Sequence, residues 1–527
     1  MTLNKMKGNR HSRYMTLKNL QMVICFLSIH VLMAQSYDIT EYGAMGDGIK
    51  DNTTIIQKLI DRCSTSGGTV LIPKGVFLTS TLILKDNTHL HLSQGSELRG
   101  STNPNDYPLL NAGISFYGEG WAKQALIFAK DVNNIQISGK GTINGQGEAF
   151  KINTNKKPER YKNRPYLLWF SNSKNITVRD IELKNSAFWM QHYLGCENVT
   201  LDGLRIWNHS NKNNDMMDID GCKNVTISNI IGDSDDDGIT LKSTSPLISE
   251  YITITNCIIS SHCNGLKMGT ESTGGFRNVV ISNCIIRPSR SKTNIYGLPE
   301  GISGISLEMV DGGIMENISI NNVVIDGPEV PLFIRLGNRA RKHNAAATTP
   351  GLGKIRNIRI SNITATGAGE TGSSITGISG AAVENVSLHN IDIMVSKTGE
   401  SELAADQVPV MENAYPEATM FGKLPAYGFF IRNVKQLQMS NVNIRHTDKD
   451  PRPGIRIDNT EAFSLFGLNL QSDSNTKNVV DVRQSTNGWI QSNHQYPAVH
   501  YLVQDKDSKN IELQGDFPFL TSKNKNR

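Results

Sequence analysis

Neither a net charge nor a long apolar run organises this chain of 527 residues. Its formal charge is +5, from 54 Lys and Arg against 49 Asp and Glu, but the first 36 residues hold Lys5, Lys7, Arg10, Arg13 and Lys18 and no acid. Without those five cations the remainder carries 49 of each sign. A neutral body offers no electrostatic footprint for nucleic acid. The apolar run MVICFLSIHVLMA at 22–34 is shorter than the ~20 residues a membrane span needs. It follows a basic segment and precedes AQS, so residues 1–35 read as a secretory signal peptide and the protein as secreted or periplasmic. Met15 repeats the MTL that begins at Met1, which leaves two candidate starts. Cys25 lacks the small residue before it that a lipid-anchoring site requires, and no other stretch reads as membrane-spanning.

Cysteine is scarce too: seven in all, six beyond the leader (Cys63, Cys196, Cys222, Cys257, Cys263 and Cys284). An even number in an exported protein permits disulfides. Cys257 and Cys284, however, hold the same place in the successive segments TNCII and SNCII, which predicts free thiols stacked in a core.

Helical periodicity is limited to 52–63, with Ile55, Ile56, Leu59 and Ile60 on one side and Gly67-Gly68 as the stop. Around it, residues 36–100 read as an N-terminal cap, a short helix followed by alternating strands that would close an apolar end. From about residue 130 one unit recurs: polar entry, alternating strand, Asn, second strand. Examples are KNITVRDIEL (174–183), ENVTLDGLRI (197–206) and RNVVISNCII (277–286), with a weaker copy at 435–444. The first core aliphatics, Ile176, Val199, Val225, Ile252, Val279, Ile318, Ile358 and Val386, recur at a solenoid period interrupted by insertions. Such units cannot bury an apolar face alone, and stacked copies make a parallel β-helix. The expected fold is all-β, a right-handed parallel β-helix with a short N-terminal capping helix, as a single domain over 36–515 with a polar tail at 516–527.

Asn229, Asn256, Asn283, Asn322, Asn362 and Asn390 follow the inward strand, where a sharp corner needs the left-handed conformation that Asn tolerates. N-x-[ST] matches such as 198–200 and 224–226 fall at strand starts in a regular array and read as ladder positions, not glycan acceptors. Insertions at 145–165, 286–303, 337–354 and 394–430 are candidate cleft walls. The first holds Lys151, Lys156, Lys157, Arg160, Lys162 and Arg164, which suit either substrate contact or a solvated turn.

The densest acids lie in NNDMMDIDG (213–221) and GDSDDDGITLKS (232–243). Asp215 precedes Asp236 by about one period, so it should stack one coil, ~4.8 Å, from Asp236 and Asp237. Carboxylates this close cannot all ionise freely, giving an acid beside a base, as glycosidic cleavage requires. An acid–base separation of roughly 6.5–9.5 Å would mean inversion. Adjacent strand residues face opposite ways, so Asp236 and Asp237 share a site only if the chain bends at DSDDDG. That run also matches the start of a calcium loop, although Thr244 stands where the loop needs Glu; a solvated acidic turn is the third reading.

With these motifs the chain resembles glycoside hydrolase family 28, the polygalacturonases and rhamnogalacturonan hydrolases, over nearly all of the mature sequence. Asn213, Asn214 and Asp215 look like its N-T-D motif, and Asp236 and Asp237 before GITLKS like its D-D motif. GAMGDGIKDNT, GTINGQGE (141–148) and FIRLGNR (333–339) look like features of bacterial members. The resemblance implies an inverting hydrolase acting on α-galacturonosidic bonds in an acidic plant polysaccharide (pectin, homogalacturonan or rhamnogalacturonan). It implies Asp236 as general acid, Asp215 and Asp237 on the attacking water, and no cofactor or metal. The chain departs from the family at Cys263-Asn264-Gly265, which replaces G-H-G, and at Ser306-Leu307-Glu308, which replaces R-I-K. The substrate-binding candidates are Asn213, Lys242, Asn264, Lys267, Glu308 and Arg335. Lys267, Arg335 or the basic loop would have to supply the missing cations, unless the leaving sugar is neutral like rhamnose. A monomer is expected. A calcium-dependent polysaccharide lyase and a non-catalytic carbohydrate-binding β-helix remain the alternatives.

Overall fold

In the computed structural model, residues 35–396, 407–473, 476–491, 500–514 and 520–521 are described. Most of the expected signal peptide lies outside them. A coil has three strand segments, the first two of which run together as one long strand in coils such as Gly275–Arg287 and Ile314–Asp326. In one, Lys223–Ser228 turns at Asn229 into Ile231–Ser234, and a bend over 235–238 leads to Ile239–Ser243. First and second strands build a 24-stranded sheet and third strands a 15-stranded sheet, and the coils pair in parallel. This is a parallel β-helix.

Register is kept through every insertion. Ile176 pairs with Val199, Val199 with Val225, Val225 with Ile252, and the same column continues through Val279, Ile318, Ile358 and Val386. Leu437 and Phe463 extend it. All of them are buried in one continuous core, each contributing roughly 1.5–3 kcal/mol. A one-residue slip would turn a strand's apolar set to solvent, so extra residues are expelled at turns.

The asparagines behave as corner and ladder residues. Asn229, Asn256, Asn283, Asn322, Asn362 and Asn390 all have φ between 53° and 58°. A second column at strand starts is also left-handed, and its side chains bond from coil to coil: Asn198 to Asn175 at 2.9 Å, Asn224 to Asn198 at 3.0 Å, Asn357 to Asn317 at 3.0 Å. These include the N-x-[ST] positions.

The helix runs Thr53–Ser66, three residues beyond the expected end, and stops where the Gly67 amide donates to the Cys63 carbonyl. It buries Ile56, Leu59, Ile60 and Cys63. The cap is itself coiled: Ser36–Asp38 pairs with Gly68–Ile72, and Asp47–Asp51 with Gly75–Thr79. Within the supposed polar tail, Leu520–Thr521 adds a strand to Val503 and Gln504; the rest of 516–527 lies outside the described residues. The six cysteines are free and buried, and Cys257 and Cys284 precede the paired residues Ile258 and Ile285, one above the other. Among the described residues no helix is long and apolar enough to cross a membrane.

Replacing Asn224 by Ala forces a β-carbon-bearing residue without a polar side chain into the left-handed region and removes one ladder bond. Chemical denaturation should show a loss of about 1–2 kcal/mol, with Asn224→Gly costing less; equal stability of Ala and wild type would contradict the ladder reading.

Candidate active site

Three consecutive second-to-third-strand turns build the site. The Met216 amide donates to the Asp237 carbonyl at 2.8 Å and the Asp236 amide to the Asn214 carbonyl at 3.4 Å, so the Asn214–Asp215 turn sits directly on the Asp236–Asp237 turn. One period apart in sequence is one coil apart in space. The chain does bend at 235–236. The Ser234 hydroxyl donates to the carbonyls of Asp236 and Asp237 at 3.0 and 3.1 Å, and Ser261 donates to that of Asp236 at 2.7 Å. As a result Asp236, Asp237 and Cys263 place one atom each within 4.8 Å of one another.

The acids of DSDDDG point two ways, which corrects the calcium-loop reading. Asp233 and Asp235 face away from the catalytic candidates. Asp233 accepts from His209, the Ser289 hydroxyl and the Arg290 amide, and Asp235 from His262 and the Ile295 and Tyr296 amides. Asp237 accepts from Asn264 Nδ2 at 2.7 Å and Lys267 Nζ at 2.9 Å. No ring of oxygens is left around one centre, and an ammonium already lies against Asp237. His209, Asp235 and His262 also bring ligand-type atoms within 4.8 Å, but their carboxylate is engaged by loop amides.

Burial dominates the electrostatics. It raises Asp215 well above the usual carboxylate range, helped by Asp218 and Asp236. Asp218 is pushed up to about 8, again by burial. Burial and then the neighbouring Asp237 lift Asp236 to about 7, and burial lifts Glu308 to about 8. Asp236 is the half-exposed member of the three candidates, whereas Asp215 and Asp237 are buried. Two lysines offset the acids. Lys242 Nζ lies 3.6 Å from Asp215, 3.3 Å from Asp218 and 3.5 Å from Glu271. Lys267 Nζ reaches Asp237 and lies 3.8 Å from Glu308. Both are held protonated by these carboxylates against the cost of burial.

Strand alternation explains which side chains meet here. In Met217–Asp220 the apolar Met217 and Ile219 enter the core while Asp218 and Asp220 face out, and Ile239–Ser243 repeats the pattern with Lys242 outward. Lys267 stands in register with Ser306, and Glu308 with Arg335. Of the substrate-binding candidates, Lys242, Asn264, Lys267 and Glu308 gather around the three aspartates. Asn264 is fixed by Ser303 at 2.6 Å, and Glu308 by Ser306 at 2.6 Å. Asn213 lies at the rim, its Oδ1 accepting from Arg160 at 3.2 Å. Arg335 is not brought to the group: its guanidinium donates to the Val410 and Met411 carbonyls and lies over Phe421.

Sequence reasoning missed Asp218, Glu271, Trp189, Arg339, Arg341 and Tyr415. Asp218 was recoverable, because the alternation in MDID puts it on the face of the catalytic sheet. The Trp189 ring centre lies 4.5 Å from Lys242 Nζ, and that of Tyr415 5.9 Å from Lys267 Nζ. Arg341 bonds Glu271 at 2.6 Å, and Arg339 bonds Asp311 at 2.9 Å. Arg339, Arg341 and Tyr415 come from insertions, where no periodicity tells which coil a residue will face. The insertions at 145–165, 286–303 and 394–430 leave the same turn as the catalytic residues, while 337–354 reaches the cleft from the far end of the third strands.

Lys267→Met would leave Asp237 and Glu308 buried without their cation. Stability should fall by about 3–5 kcal/mol. Chemical denaturation beside the wild type checks this, and equal stability would mean that Lys267 does not offset the two carboxylates it lies against.

Comparison with known proteins follows the same lines. The family model described as "Glycosyl hydrolases family 28" matches residues 63–413. An exo-poly-α-D-galacturonosidase of Dickeya chrysanthemi is 30% identical over 250 residues, covering 38% of this chain and 41% of that protein. A probable polygalacturonase of Vitis vinifera is 29% identical over 221 residues, covering 40% and 45%. The chain thus spans less than half the length of these curated relatives. Among solved structures, a hyperthermoactive exopolygalacturonase of Thermotoga maritima superposes with a TM-score of 0.59 at 22% identity, covering 78% of this chain and 92% of that one. At that identity the likeness speaks for the fold.

Proposed function

The chain belongs to the glycosyl hydrolases of family 28, and from that membership we propose that it hydrolyses α-galacturonosidic bonds in pectic polysaccharide with inversion. The observation that carries the reading is the stacking of Asp215 on Asp236 and Asp237, with the half-exposed Asp236 lifted into the range of a proton donor at neutral pH beside the more deeply buried Asp215, which is raised as well. Asp236, half-exposed and pushed up to about 7, protonates the glycosidic oxygen. Asp237, its charge supported by Lys267 and Asn264, takes the proton of the attacking water. Asp215, on the adjacent coil, holds that water with it. The names of the relatives, an exo-poly-α-D-galacturonosidase and polygalacturonases, support galacturonan-type pectin as the substrate class. Around Lys267 the cation is already matched by Asp237 and Glu308, which favours a neutral leaving sugar, as in rhamnogalacturonan, beside homogalacturonan.

Asp236→Asn should keep the fold and lower turnover by ~10²–10⁴; wild-type turnover would refute the assignment. Because the acid must carry its proton, activity should fall as pH rises through about 7. Product analysis on homogalacturonan and de-esterified rhamnogalacturonan, with EDTA present, should give saturated fragments. An unsaturated product, or inhibition by the chelator, would indicate a lyase instead, and binding without release would indicate a carbohydrate-binding β-helix.

A further inference from the structure

One column of outward side chains runs along the third strands. Its middle is polar, with Asp218, Thr240, Lys267 and Ser306 in successive register. On the N-terminal side the column continues through His192 and Trp169, and on the C-terminal side through Phe333.

Both ends of this column are covered. The segment 101–124, between Ser96–Gly100 and Ala125–Lys130, leaves on the side of the catalytic turns and crosses the face. The Ser171 hydroxyl donates to the Ala112 carbonyl at 2.8 Å and the Tyr117 amide to the Thr244 carbonyl at 2.9 Å, both at the far ends of third strands. Buried Phe116 lies against Trp169 and His192, with ring centres 6.5 and 5.8 Å away. At the other end residues 407–424 cross the face in the opposite sense. The Asn338 amide donates to the Glu412 carbonyl at 2.8 Å beyond Val330–Leu336, the Leu424 amide donates to the Thr371 carbonyl at 3.1 Å ahead of Ser373–Thr376, and Ala418 packs on Phe333. The floor left uncovered is the four strands from Asp218 to Ser306, about 14 Å at ~4.8 Å per strand.

The flanks are joined as well. On the side of the catalytic turns Trp121 stacks on Tyr161 with ring centres 4.8 Å apart, Arg160 donates to the Tyr296 hydroxyl, and Ile302 packs on the cluster that holds Phe333 and Ala418. On the opposite side the Arg339 guanidinium lies 5.7 Å from the Tyr415 ring centre, and Asn344 Nδ2 donates to the Ser115 hydroxyl at 2.7 Å. The segments 101–124, 145–165, 286–303, 407–424 and 337–344 therefore form a ring around the acids, each bonded or packed to the next. Among the described residues the way in is from above, where Tyr415 on the rim is 54% exposed over a Lys267 that is 3% exposed.

We infer that the site is a blind pocket that takes one terminus of a galacturonosyl chain, so that the enzyme shortens polymers from an end and does not cut them internally. The inference rests on the proposed function and deepens it by naming the part of the substrate that fits. An internal bond reaches Asp236 only if the chain enters and leaves through the same opening, folded back on itself within the length of the uncovered floor. A terminus has only to enter.

The test separates binding from cutting. Size-fractionated galacturonan and rhamnogalacturonan chains are titrated calorimetrically into the Asp236→Asn protein, and the native protein is given the same polymers while viscosity and product size are followed. A pocket binds a single protein per chain at every chain length, and the native protein releases small fragments from the outset, with viscosity falling only in proportion to their release. Binding of more proteins to longer chains, or binding to no chain, overturns the inference. Early loss of viscosity with large fragments overturns it too, and leaves hydrolysis itself standing. If the stoichiometry is as expected while the native protein cuts neither polymer, the hydrolase reading fails and the pocket stands.

Discussion

Parallel register between third strands is the constraint from which the rest follows. Each coil must place its apolar residues over those of the coil before it, and the backbone bonds of Asp215's turn to that of Asp236 and Asp237 are one instance of this. Chemistry is thereby brought together by stacking and not by a tertiary fold-back. Three carboxylates sit on the turns of two adjacent coils, and the lysines that offset them come from the next two third strands along, at Lys242 and Lys267. The spacing that builds the core also crowds the acids, and burial together with that crowding raises Asp215 and Asp236 above the usual carboxylate range.

The solenoid was legible because its signal repeats. The column from Ile176 to Val386 was read as a period with gaps, and every member of it is paired in the structure. The corner asparagines were legible for the same reason: few residues accept positive φ, so their recurrence marks turns. The catalytic aspartates stood out by density and spacing. Residues carried on insertions were not legible. Arg341 and Tyr415 reach the cleft by loop paths that no periodicity encodes, and Arg335, on a strand facing the same way as Glu308, turns its guanidinium to carbonyls of the 394–430 insertion. Strand register gives the direction of a β-carbon but not the destination of a long, flexible side chain. The length of the cap helix was underestimated because Ser64, Thr65 and Ser66 carry no apolar mark.

The division of labour within DSDDDG is instructive in energetic terms. Asp237 and Asp236 face the cleft, while Asp233 and Asp235 spend their oxygens on His209, His262 and the amides of the 286–303 insertion. Charged acceptors make stronger bonds to amides than neutral ones do, so one acidic run both lines the cleft and clamps the loop beside it. A run that reads as redundant negative charge is four carboxylates with separate duties.

That clamp bears on how such a scaffold can diversify. An insertion attached only at its two stems can be exchanged between relatives as a cassette, since the register beneath it does not notice. The 286–303 segment is different, because its Ser289, Arg290, Ile295 and Tyr296 are bonded to Asp233 and Asp235, the two aspartates that lead into Asp236. Grafting a foreign loop there would unseat the turn that carries Asp236 and Asp237 unless matching amides came with it. A lineage that changed the 145–165 wall would have to keep the anchors made by Arg160 and Arg164, whereas the 286–303 wall would be inherited together with the turn that holds Asp236 and Asp237.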